Sequence, residues 1–175
     1  MLKNLIILMI ASTLSHAGVY QDLEFGDSKQ TVLQKLKTSA QMTPNVPTDM
    51  VDLNTDINGI FEIKTPLKGS SFSLHFGWSE SNTLKNITLR SAPVSLKKYK
   101  TTLSSTFEAA LQLITEIHGT PLMANPMPQP DQINQGKALH SHLWPNDTGT
   151  ILMGIAKQGD SYQVSVSFTE KEIRP

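Results

Sequence analysis

The sequence predicts an α+β fold: a two-layer sandwich in which a mostly antiparallel sheet of about six strands carries both helices on one face. Three observations lead there. Residues 95–121 (SLKKYKTTLSSTFEAALQLITEIHGTP) place Leu96, Tyr99, Leu103, Phe107, Ala110, Leu111, Ile114 and Ile117 at three- and four-residue steps, the period of a helix with one buried stripe. Residues 71–78 alternate Phe72, Leu74, Phe76 and Trp78 with Ser73, His75 and Gly77. Residues 162–169 alternate Tyr162, Val164, Val166 and Phe168 with Gln163, Ser165 and Ser167. A period of two marks strands with a dry face and a wet face. The element order also repeats, helix then three strands and again helix then three strands. This suggests two αβββ units, residues 18–92 and 93–175, within one domain.

Taken in order, residues 1–17 read as a signal peptide. Lys3 is the positive flank, residues 5–14 form the apolar run, and Ser15-His16-Ala17 is a small–x–small cleavage site ending at Ala17. The apolar run is too short to cross a bilayer, so the expectation is export to the periplasm or beyond. A lead-in over 18–25 precedes a helix at 28–37, with Asp27 as its cap, Gln30 as the reciprocal partner and Val32, Leu33 and Leu36 on its apolar face. Residues 38–58 carry Pro44 and Pro47 and read as loop with room for one short strand. Strands are expected at 59–64, 71–78 and 84–89. The long helix follows, stopped by Gly119 and Pro121. A proline-dense loop over 121–130 leads to strands at 138–144, 150–156 and 162–169, and a charged tail closes the chain.

Composition narrows the chemistry. Lys and Arg number 15 against 15 Asp and Glu, and cleavage would remove Lys3 and no acid. Nothing in that balance favours nucleic acid or an anionic membrane, and no later stretch of the mature chain predicts an integral membrane segment. The absence of Cys excludes a disulfide, a thiol nucleophile, a Cys-ligated metal and a lipid-anchored N-terminal Cys. The glycines are scattered at turns with no phosphate-cradling loop, and no Gly-x-Ser-x-Gly context surrounds any serine. The reading is a non-enzyme without a cofactor.

What remains is a surface. The wet face would present Ser73, His75, His142, Gln163, Ser165 and Ser167, with Trp78 and Trp144 as aromatic anchors at its rim, to another envelope or secreted protein. An alternative comes from Leu139-His140-Ser141-His142, where two histidines two apart share one strand face. With His75 as a third ligand, His140 and His142 would form a three-imidazole metal site with an open position, suited to a metal carrier or metal-dependent hydrolase. A third reading is a small-ligand carrier with a pocket between helices and sheet. His118, just before Gly119, favours the C-terminal dipole of its helix.

Phe25-Gly26-Asp27-Ser28 followed by Thr31-Val32-Leu33-Gln34-Lys35-Leu36 resembles the opening of small exported α+β domains of the BamE (SmpA/OmlA) and β-lactamase-inhibitor-protein type. The repeated helix-then-strands order is similar to the inhibitor protein, which is built from two such units. The resemblance implies a non-catalytic envelope protein that works by contact, as an assembly accessory, an inhibitor or an immunity-type protein. The chain departs from the BamE group in lacking the lipid-anchoring Cys and from the inhibitor in lacking paired cysteines.

Overall fold

The computed structural model describes residues 19–171, so the leader with its cleavage site, and residues 172–175 of the tail, lie outside the described residues. Among the described residues the chain is two α-helices on a nine-stranded antiparallel sheet. The first half contributes α1 (Lys29–Thr38), β1 (Met42–Pro44), β2 (Phe61–Ile63), β3 (Phe72–Trp78) and β4 (Leu84–Ser91). After β5 (Val94–Ser95) the second half contributes α2 (Ser104–His118), β6 (Met123–Ala124), β7 (Ala138–Pro145), β8 (Gly149–Gln158) and β9 (Ser161–Glu170). No helix among them is long and apolar enough to cross a membrane.

The strand order is β1-β2-β3-β4-β9-β8-β7-β6, with β5 pairing β9 beyond the end of β4. All six expected strands form, and three short ones join them, so the sheet has nine strands and does not divide into two units of one helix and three strands. One of them, β1, fills the room left for a short strand in residues 38–58; the other two have no readable signal because two residues cannot display a period. Two of them, β1 and β6, are the sheet's edges, and prolines surround both: Pro44 lies within β1, and Pro121 and Pro126 flank β6. Short strands and missing N–H donors blunt an edge against further pairing. The order reads alike from either end, with the last strand of each half meeting at the centre. Phe72, Leu74 and Phe76 of β3 have counterparts in Ile151, Met153 and Ile155 of β8. Val32, Leu33 and Leu36 of α1 share their spacing with Ala110, Leu111 and Ile114 of α2.

The first helix starts one residue later than expected. Its cap is Ser28, whose hydroxyl accepts the Thr31 N–H at 3.1 Å. Asp27 is held in extended pairing beside the start of β4, where its carbonyl accepts the Leu84 N–H at 2.9 Å. Its carboxylate instead accepts the Glu24 N–H at 2.9 Å and pairs with the Lys35 ammonium at 2.8 Å. The second helix is shorter than the predicted stripe. Leu96–Lys98 form a tight 3₁₀ turn, and Tyr99–Leu103 a wide π turn in which the Ser104 N–H reaches the Tyr99 carbonyl five residues back. Apolar residues four apart drift around a regular helix, and a wider turn cancels that drift. Tyr99, Leu103 and Phe107 therefore all stay on the sheet, while Leu96 and Ile117, at the two ends, are 58% and 57% exposed.

Both helices belong to one apolar cluster with the dry side of the sheet, where Leu74, Ile87, Ile151, Met153, Ile155 and Val164 are completely buried. Burying each such side chain contributes about 1.5–3 kcal/mol. Loops complete this layer. Val51 and Ile57 enter the cluster from the loop between β1 and β2, which the Lys29 ammonium ties to α1 through the Leu53 and Thr55 carbonyls at 2.6 and 2.9 Å. Ile133 enters from the proline-rich loop, pinned where the Tyr99 hydroxyl donates to the Pro128 carbonyl at 2.6 Å. The cleft lined by Gln21, Leu23, Lys35, Leu36, Ser39 and Met42 encloses about 10 Å³, room for one water at most.

Close packing of β7 on β8 makes one residue immovable. A Cβ on Gly154 would lie 2.0 Å from the Leu139 carbonyl oxygen, and its nearest neighbours would all be backbone atoms of Leu139 and His140. Gly154→Ala is expected to lose about 3 kcal/mol or more in urea unfolding, at or beyond the upper end of ordinary overpacking. Gly136→Ala, at φ +73° with open space around it, should lose only about 1 kcal/mol. Equal losses would contradict the close approach of these strands.

Candidate functional site: the polar face of the sheet

The side of the sheet away from the helices carries four rows defined by register, the shortest being Gln163, Ala156, Ala138. One runs Glu62, Ser73, Arg90, Ser165, Gly154, His140 from β2 to β7; the next runs His75, Thr88, Ser167, Leu152, Leu143. The third runs Gly77, Asn86, Thr169, Thr150, Pro145. Five of the residues singled out from the sequence, Ser73, His75, Gln163, Ser165 and Ser167, lie on this face, although Ser165 is only 2% exposed.

Three others do not. Trp78 stands on the dry side beside Phe76, ring centroids 5.9 Å apart, and is half-buried. His142 and Trp144 are core residues, 5% and 1% exposed. The cause is a β-bulge at Ser141: His140 pairs with Gly154, yet His142 pairs with Met153, so the ladder skips a residue. Two histidines separated by one residue thus point to opposite faces. The His142 ring stacks on Trp144 at 5.8 Å, approaches Phe107 of α2 at 5.7 Å, and its Nδ1 lies 2.9 Å from the Ser141 hydroxyl. The Trp144 indole N–H donates to the Gly119 carbonyl at 2.9 Å and fixes the end of α2 over β7. The three-imidazole arrangement fails on the same geometry. His75 on β3 and His140 on β7 are four strand steps apart, about 19 Å, and His142 is on the far side. No group of three or more His, Asp or Glu among the described residues is placed to hold a metal ion.

At the centre of the polar face the side chains satisfy one another. The Asn86 amide donates to Thr169 Oγ1 at 2.9 Å, the Thr88 hydroxyl to Asn86 Oδ1 at 2.8 Å, and the Ser167 hydroxyl to Thr88 at 2.8 Å. Gln163 donates to the Ser91 carbonyl at 3.0 Å, and His75 Nε2 is 3.3 Å from the Ser73 hydroxyl. Two groups stand outside this network: Arg90 Nε and His140 Nε2 are covered and have no partner. Arg90 falls one residue beyond the strand expected at 84–89. Extending the alternation by that residue would have placed it on the wet face.

Burial pushes the imidazoles of His75, His140 and His142 below the ordinary histidine pKa; the Arg90 charge lowers His75 further, against the opposing pull of Asp56. All three rings are therefore neutral at pH 7. No protein-family model, no curated protein and no solved structure matches this chain.

Two expectations follow from the histidines. Because their folded pKa values are depressed, the unfolded chain takes up protons first as pH falls. Their contribution to stability is complete above the ordinary histidine range near pH 6.5 and is lost below it, with a slope of at most about 1.4 kcal/mol per pH unit for each ring. Thermal unfolding should move to lower temperature between pH 7 and pH 5, and His142→Phe should flatten that decline; an unchanged slope would mean His142 is not buried neutral. Equimolar Zn²⁺ should shift the unfolding midpoint no more than Ca²⁺ does, since no two of the three rings can share an ion.

Proposed function

We propose that the protein is an exported, non-catalytic module that recognises another envelope or secreted protein through the polar face of its sheet. One observation carries the reading: both α-helices pack on the dry side, joined there by Val51, Ile57 and Ile133 of the two long loops, and neither α1 nor α2 lies on the other. The five long strands β3, β4, β9, β8 and β7 are seven to ten residues each. At usual strand spacing they give a face on the order of 24 by 25 Å. With its rim this approaches the ~800 Å² that each partner contributes to a standard interface. Export is supported by the leader-like first seventeen residues. An inhibitor or accessory role, in which the face covers another protein's working surface, is supported by the resemblance of residues 25–36 to BamE-type and inhibitor-type domains. The nine strands, which form one continuous sheet, support it too.

Purified protein immobilised in periplasmic extract should recover one stoichiometric partner. Ser73→Arg and Ser167→Arg, which crowd the polar face, should abolish recovery, and Ser105→Arg on the exposed side of α2 should leave it intact. Recovery that survives both face variants, or is lost only with Ser105→Arg, would overturn the reading.

A further inference from the structure

The long strands all run between two ends of the sheet, about 30 Å apart over the length of β8 or β9. The connections at those ends carry opposite charge. At one end lie the β2–β3 loop with Lys64 and Lys68, the tight turn after β5 with Lys97 and Lys98, and the approach to β7 with Lys137; all of these lysines are exposed. Asp131 and Asp160 oppose them there. At the other end Glu24 sits beside the start of β4, Asp52 and Asp56 between β1 and β2, Glu80 between β3 and β4, and Asp147 between β7 and β8, and these too are exposed. Lys29, Lys85 and Lys171 oppose this group and leave it a surplus of acid. We propose that the lysine end of one copy docks on the acidic end of the next, so that the protein associates head to tail through the ends of its strands. The inference goes beyond the polar-face reading and leaves that face free.

The charges are available for such a contact. The described residues contain a single ion pair, Lys35 with Asp27, and none of the lysines or acids at the two ends takes part in it apart from that Asp27. The whole chain carries 15 basic and 15 acidic residues, so no net charge holds copies apart. Separation of the two signs along the strands then attracts unlike ends and repels like ones. Other routes to a second copy are narrow. The outer strands β1 and β6 are short and bounded by proline, and α1 and α2 cover the dry side. An anionic lipid surface would engage the lysine end and leave the acidic end idle, whereas a second copy uses both.

A contact between unlike ends is heterologous: each added copy still presents one free end of each sign, so the assembly grows as an open chain instead of closing as a pair. Exposed charge pairs are individually weak and are screened by salt. The screening length is about 30 Å at 0.01 M salt, comparable to the distance between the ends, and about 3 Å at 1 M. Association therefore belongs to low ionic strength and high concentration.

The test follows the weight-average mass of the mature chain by sedimentation equilibrium, over a dilution series at about 10 mM and about 500 mM salt. At low salt the mass should rise with concentration and pass beyond the dimer; at high salt it should return to the monomer. Lys97→Glu with Lys98→Glu and Lys137→Glu, which reverses the lysine end, should stay monomeric throughout. Glu80→Lys with Asp147→Lys, which reverses the acidic end, should do the same, and mixing the two variants should restore association. Ser105→Lys with Glu108→Lys and Gln112→Lys gives the same net charge as the acidic-end variant but places it on the exposed side of α2, and it should still associate. A monomer under every condition overturns the proposal, as does association that survives reversal of the lysine end. A mass that stops at the dimer overturns it too, because a closed pair does not join unlike ends in series. So does a monomeric protein that co-sediments with phosphatidylglycerol vesicles, which would assign the lysine end to a lipid surface. Ser73→Arg should leave the mass unchanged while it abolishes partner capture; loss of self-association in that variant would move the contact to the polar face and remove the proposal.

Discussion

The pairing of β4 with β9 is the constraint on which the rest of the molecule depends. These are the last strands of the two halves, and they join residues about eighty positions apart. The Asn86–Thr169 and Thr88–Ser167 hydrogen bonds span sequence separations of 83 and 79. On the other side of the same seam Ile87 opposes Phe168 and Leu89 opposes Val166. Cross-strand contacts of this kind contribute roughly 0.2–1 kcal/mol per pair beyond burial. The seam therefore holds on both faces, by polar contacts on one and apolar contacts on the other. Without it there would be two narrow sheets, each with a helix, and neither would bury enough surface to stand well alone. The single apolar cluster and the continuous polar face are both products of this joint.

Within that frame one extra residue does most to decide which side chains are available to a ligand. The bulge at Ser141 shifts β7 by one position, so everything after it changes sides relative to a regular strand. Trp144 and His142 are thereby given to α2, where they pack on Phe107 and close the helix end through the Gly119 carbonyl. His140, before the bulge, is left on the polar side opposite Gly154. At the same irregularity the β7 backbone lies so near β8 that only glycine fits opposite His140. A core anchor and an obligatory glycine meet at one place.

Most of the architecture could be read from residue periodicity because the long strands and both helices repeat their pattern several times. Phe72 to Trp78 and Tyr162 to Phe168 each show it over seven residues, and the structure places them as that alternation requires. Legibility failed where a single residue changes the phase. The Ser141 bulge has no signature in Leu139-His140-Ser141-His142, since a histidine is acceptable on either face. The π turn at Tyr99–Leu103 hides in a run of four-residue steps that an unbroken helix also permits. β6 is too short to declare itself, and Asp27 is as good a cap as Ser28 by residue type, but its carboxylate is taken by the Glu24 N–H and the Lys35 ammonium. Of the polar face, the serines and His75 were visible by alternation. Arg90 lies beyond Leu89, where the apolar alternation stops, and a strand end carries no marker of its own.

The central seam also sets an order of events during synthesis. β9 lies between β4 and β8, and it is made after both. Until it arrives, the emerging chain displays the inner edge of β4 as a row of open donors and acceptors eight residues long, with Leu84, Ile87 and Leu89 beside it. Such a half-finished sheet is most vulnerable to joining another nascent copy at that edge. The prolines that shield the outer strands give no shelter there, so the half-assembled sheet, rather than the finished molecule, is the state that most needs a chaperone.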